Sequence, residues 1–241
     1  MTRASAEHQK ALLAVQKLDT RLARVAHERR TLPIHARIAE LETQAAELER
    51  ERIETATRRS DTGRELARIE SDVEQIHTRA KRHQDRLMTG VSAKDAQAIE
   101  SELALLSGRT AELEDLQLEQ MELVESLDSD LSRIAKQIDA SATAMTSAVG
   151  EREKEYSRID VEARSLSSER EAIAAALPAD LMNLYDQIRT ETGGLGAVAL
   201  HGTRTEGVSI DFSLSELDSI SSAAAEDVVT SEDYGYILVR L

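Results

Sequence analysis

The amino-acid sequence predicts a mainly α protein: a long antiparallel coiled-coil helical hairpin carrying a small C-terminal α+β module. Three observations lead there. Counted in sevens from Ile38, the a and d positions run Ile38, Leu41, Ala45, Leu48 and onward to Ile69, Val73, Ile76, Ala80, His83 and Leu87 without a slip. This alternation of three- and four-residue steps marks a left-handed coiled-coil seam. The pattern breaks at Met88-Thr89-Gly90-Val91-Ser92 and resumes from Leu103 to Ala148, which reads as one helix folded back on another. Past Leu177-Pro178 the texture changes to short alternating runs.

Composition agrees with that architecture. Aromatic residues are 2% of the 241, with one Phe and no Trp, which leaves little material for a large globular core. Charged residues reach 31%, the proportion of long solvated helices. With no cysteine, neither disulfides nor thiolate metal sites can form. No apolar run approaches a membrane span and no signal-peptide core begins the chain, so a cytoplasmic protein is expected. The formal charge of −15 is uneven: the first hundred residues carry 19 bases against 17 acids, and the remainder 11 against 28. Such a field opposes non-specific attachment to nucleic acid, which depends on neutralising phosphates.

Taken in order, the first helix is expected over about 5–31, with Leu12, Val15, Leu18, Leu22 and Val25 on one stripe. It stops before Leu32-Pro33, since proline lacks the donor a helix interior requires. The second runs over about 34–88, Gly90 permits the reversal, and Ser92 with Asp95 caps a third helix over about 93–177. At ~1.5 Å per residue the third is as long as the first two laid end to end. Both therefore pair antiparallel with it, with Ile159, Leu166 and Ile173 facing Leu22, Val15 and Leu12. Eight acids and no base in 112–130 would lie opposite Arg52, Arg58, Arg59, Arg64 and Arg68. The predicted division is thus an arm over 1–177 and a module over 178–241.

The module opens with a short helix over 179–192, is loosened by Gly193, Gly194 and Gly196, and continues with Val208, Ile210 and Phe212 alternating as a strand. A helix-like stretch spans 214–225, and Val228-Val229 with Ile237-Leu238-Val239 bracket a hairpin loop. No catalytic constellation emerges: the six histidines are scattered, and the glycine cluster lacks the Lys and preceding strand of a phosphate loop. One local feature stands out, the basic tip of Arg79, Lys81, Arg82, Arg86 and Lys94. It carries no stacking aromatic for single-strand recognition.

The order of parts resembles a known bacterial family. The carriers are "LDTRLARVAHERRTLP" at 18–33, "LPADLMNLYDQIR" at 177–189, "AAAEDVV" at 223–229, and Gly235 with "ILVR" at 237–240. The chain is similar throughout to coiled-coil proteins with a C-terminal C4-type zinc ribbon, in their actinobacterial form. The resemblance implies a ribbon whose two Cys-x-x-Cys pairs fall on Thr205 and Val208, and on Ser231 and Tyr234. None of these can offer a thiolate, so no metal and no cofactor is expected. Val208, Phe212, Tyr234 and Tyr236 would replace the metal with an apolar cluster, or the module would lean on the coiled coil. The resemblance further implies an adaptor or regulator near transcription and RNA. The expected function is accordingly a non-enzymatic adaptor docking a protein partner, with direct nucleic-acid binding through the tip or module as the alternative. Nothing in the sequence decides between monomer and dimer.

Overall fold

A computed structural model describes residues 2–241. Five helices and four strands follow one another: α1 (Ala6–Arg30), α2 (Ile34–Met88), α3 (Ala93–Ala175), α4 (Ala179–Glu191), β1 (Ala197–His201), β2 (Arg204–Thr205), α5 (Leu214–Ser222), β3 (Val229–Thr230) and β4 (Ile237–Arg240). The fold is the predicted one, a long coiled-coil hairpin with a small C-terminal sheet. The chain forms two compact units: a head, from the chain up to His35 together with Gly150–Leu241, and a hairpin, Ala36–Val149.

Within the hairpin unit the heptad reading sets the packing. Ile38, Leu48, Thr55 and Ile69 are the buried residues of α2, and each is an expected a or d position. On α3 the expected positions Leu113, Leu127, Ile134, Ser141 and Ala148 are buried, and Ile99 extends the seam toward the turn. Gly90 sits at φ 86°, a left-handed geometry that a side chain would strain. Ser92 accepts from the Asp95 amide at 3.2 Å and starts α3. The expected charge complementarity is realised sparingly. Arg59 reaches across to Asp128 at 2.9 Å, whereas Arg52, Arg64 and Arg68 turn to Glu49, Asp61 and Glu65 on their own helix. A carboxylate one turn away competes well with one across a seam. Arg133 and Glu51 add a cross-seam pair of opposite polarity at 3.1 Å.

In the head unit α1 lies along the last turns of α3. Leu18, Val25, Ile159 and Leu166 form one buried cluster, with Leu22 and Ala163 at its margin. Leu166 thus meets Leu18, while Val15 joins a second cluster with Leu12, Leu181, Tyr185, Ala197, Ile237 and Val239. The helix α3 stops two residues earlier than predicted, because Ala176 and Leu177 donate to carbonyls only three residues back and tighten the last turn.

The sheet order is β2-β1-β4-β3, two antiparallel hairpins joined by a parallel β1–β4 pair. Side chains alternate across it as a pleat requires. Ala197, Ile237 and Val239 face α1 and α4, whereas Leu200 and Leu238 face Ile210 and Ile220 on the other side. Both central strands are therefore covered on both faces, which explains their near-continuous apolar run.

Three expectations for the module need correction. The stretch Val208–Phe212 is not a strand. The Thr205 hydroxyl donates to the Val208 carbonyl and closes a turn, after which the chain passes under the sheet with Ile210 inward. The helix α5 ends at Ser222, not 225. Ala223 turns extended, and the Arg240 guanidinium takes the carbonyls of Ile220, Ala223, Ala224 and Asp227. The anticipated apolar cluster is also divided differently. Tyr234 is half exposed and stacks on Tyr236, and Val208 and Phe212 only flank the cluster that holds Leu238.

Candidate interaction surfaces

A buried polar knot sets the head in place. Tyr185, fully buried, donates to Asp19 Oδ2 at 2.8 Å, and Gln16 Oε1 also lies within its reach at 3.2 Å. Gln16 Oε1 accepts from the amides of Gly196 at 2.6 Å and Ala197 at 3.2 Å, and its amide nitrogen donates to the Gly194 carbonyl. Arg170 and Arg189 close on Asp19 at 3.2 and 3.5 Å, so the buried carboxylate is matched by cations. Burial, helped by the Asp19 carboxylate, pushes the Tyr185 phenol well above its ordinary range. A Cβ at Gly196 would lie 2.5 Å from Tyr185 Cε2, so only glycine lets the first strand start against that ring. These bonds tie α1 to α4, to the end of α3 and to the sheet's approach at Gly194–Ala197. Sequence reading passed over this knot, although Gln9, Gln16 and Asp19 on the inward side of α1 are a visible departure from an apolar stripe.

The N-terminal residues add a second tie. The Ala4 amide donates to Glu226 O at 2.8 Å and the Val228 amide to Thr2 O at 3.2 Å, with Arg3 paired to Asp227 at 3.1 Å. Gln9 Nε2 bonds the carbonyls of Ala4 and Ala225. The module leans on the coiled coil through these contacts and through Leu12 and Val15.

The four positions aligned with metal ligands do not converge. Thr205 lies in β2 and Ser231 follows β3, on opposite edges of the sheet with two strands between them. At about 4.8 Å per strand that is roughly 14 Å. Thr205 and Val208 close one turn. Ser231 is buried, its hydroxyl accepting the Tyr236 amide at 3.2 Å, while Tyr234 faces solvent. Hydroxyl, isopropyl and phenol groups do not fit tetrahedral zinc, and His201 is exposed beside Glu206 alone. Among the described residues no group of three potential ligands comes together.

Two surface features stand apart from the knot. The first is a groove of about 560 Å³ on the head, between α5 and the ends of β1 and β4. Leu200, Leu217 and Ile220 line it, and Leu214 and Leu241 stand at its mouth, 87% and 51% exposed. The second is the basic tip. Arg79 is engaged by Glu102, and His83 Nε2 lies 3.6 Å from the same carboxylate. Lys81, Arg82, Arg86 and Lys94 are exposed, with no ion pair among the described residues. Proximity along the chain groups these five; the neutralisation of Arg79 depends on a residue of the opposite helix and leaves no local sign.

Fold and surfaces define a coiled-coil hairpin protein with a sheet-bearing head. The chain belongs to the CT398-like coiled-coil hairpin domain family, whose model matches residues 15–193. It is 30% identical over 240 residues to the uncharacterized protein Rv2229c of Mycobacterium tuberculosis, covering 99% of this chain and 98% of that one. A solved structure from Mycobacterium smegmatis superposes with a TM-score of 0.86 at 30% identity over the full length of both chains. The structure of CT398 from Chlamydia trachomatis superposes at 0.74 over 98% of each chain, with 14% identity, and so shows a common fold. No described helix is long and apolar enough to cross a membrane.

Proposed function

We propose that the chain is a non-enzymatic adaptor of the cytoplasm whose coiled coil carries the head to a protein partner, in a process connected to transcription or RNA. The observation that supports it is the head groove. Leu214 and Leu241 stand in water around an apolar floor, although burying either would be favourable by about 25 cal/mol per Å². The Arg240 guanidinium, bonded to the carbonyls of Ile220, Ala223, Ala224 and Asp227, ties α5 to β4 beside that groove, which lowers the ordering cost of binding.

The test compares three forms of the full chain in the same native extract. These are the unaltered protein, a groove form carrying Leu214→Asp and Leu241→Asp, and a tip form carrying Arg82→Glu and Arg86→Glu. A partner kept by the first and third and lost by the second is the expected result. Retention by the groove form overturns this reading. Loss from the tip form alone, together with sensitivity to nuclease, would favour the nucleic-acid reading. Removing 193–241 outright is unsuitable, since it would strip cover from Leu12, Val15 and Tyr185.

A further inference from the structure

Between Leu113 and Val124 the usual pattern of a coiled coil is inverted. The seam positions hold Gln117 and Gln120, while Leu116, Leu118, Met121 and Leu123 stand 38–58% exposed on the outside. Glu114, Asp115, Glu119, Glu122 and Glu125 surround them and form no ion pair among the described residues; on the facing stretch of α2, Arg59 is taken by Asp128 and Arg64 and Arg68 by acids of their own helix. At the tip the balance is reversed: Lys81, Arg82, Arg86 and Lys94 have no ion pair among the described residues, Met88 is 85% exposed, and Asp85 is the one acid among them. One patch is acidic and apolar, the other basic and apolar, and both belong to the hairpin unit.

They cannot meet within one chain. From the turn at Gly90 to Glu119 the helix α3 runs unbroken, roughly 40 Å at about 1.5 Å per residue. We propose that a second copy of this chain supplies the match, the two hairpins lying antiparallel with the tip of each against the acidic belt of the other. Such an interface is isologous, so one two-fold axis satisfies both pairs of patches at once. Leu105, 75% exposed and about midway between Gly90 and Glu119, would lie near that axis and meet its counterpart. The charges fix orientation and partner, and the leucines and methionines supply the burial.

Charge reversal tests this directly, because every altered residue is exposed and folding is monitored by circular dichroism. One form carries Arg82→Glu, Arg86→Glu and Lys94→Glu; the other carries Glu114→Lys, Glu119→Lys and Glu122→Lys. Sedimentation equilibrium of the unaltered 26.6 kDa chain should give twice that mass, and each altered form alone should give the single-chain mass. An equimolar mixture of the two should regain the doubled mass, since the acid tip of one then meets the lysine belt of the other. A single-chain mass for the unaltered protein overturns the proposal. So does a doubled mass for either altered form alone, or a mixture that stays monomeric.

Discussion

The head and the hairpin unit use similar helices but hold them by different means. In the head, Leu12, Val15, Ile159, Leu181, Tyr185, Ile237 and Val239 are almost wholly withdrawn from water, and a closed polar network runs among them. In the hairpin, burial recurs at most once per heptad on either helix, and the intervening seam residues are partly or wholly exposed. A dense core concentrates stability in a few side chains. A seam spreads it over many weak contacts. The head is therefore brittle to single substitutions and the hairpin tolerant, and removing side chains in each should show it.

The largest effect belongs to Tyr185→Ala. Truncating a fully buried aromatic typically costs about 3–5 kcal/mol, and here Asp19 Oδ2 and Gln16 Oε1 lose a donor as well. Gly196→Ala should rank next, because its Cβ would overlap the same ring and overpacking costs about 1–3 kcal/mol. Both are read as a fall in the denaturation midpoint of the head's cooperative transition. Removing the Arg240 side chain as Arg240→Met should cost a comparable amount, about 1–3 kcal/mol for carbonyls left poorly satisfied at the end of α5. At the other extreme, Arg59→Ala in the hairpin breaks an exposed pair and should be indistinguishable from the parent chain in a melting scan.

Alkaline pH sharpens the contrast. The folded head raises the Tyr185 phenol above its unfolded value near 10, so it favours the protonated form. That contribution is complete below about pH 10 and declines as pH rises from there toward the folded value. Tyr185→Phe should flatten this dependence in the head and leave the hairpin's response unchanged. Denaturation midpoints recorded across that range would show it.

How much is legible in the sequence divides along the same line. Periodicity is a local property, and the heptads alone assign Ile38, Leu48, Ile69, Leu113, Leu127 and Ile134 to the seam, where all six are buried. The head resists such reading because its determinants are distant in the chain. Gln16 meets Gly196, Ala4 meets Glu226, and Arg240 collects carbonyls from Ile220 to Asp227. Strand pairing between Ala197 and Ile237 has no periodic trace either. Val208, Ile210 and Phe212 alternate like a strand because the segment has a buried and an exposed side, although no ladder forms there. The tip residues group by proximity in sequence, while the outward leucines of 116–123 are obscured by the seam count running beside them.

The central claim is that α1, α4 and the sheet form one cooperative head without a metal, distinct in stability from the hairpin. Amide hydrogen exchange on the Tyr185→Ala chain tests it most directly, run with and without a chelator on the parent protein as reference. The account predicts that protection falls together in 6–30 and 179–241 and persists in 38–87 and 99–148, with no response of the parent to the chelator. Loss confined to 193–241, with α1 still protected, would contradict it, as would a parent chain whose head opens when metal is removed.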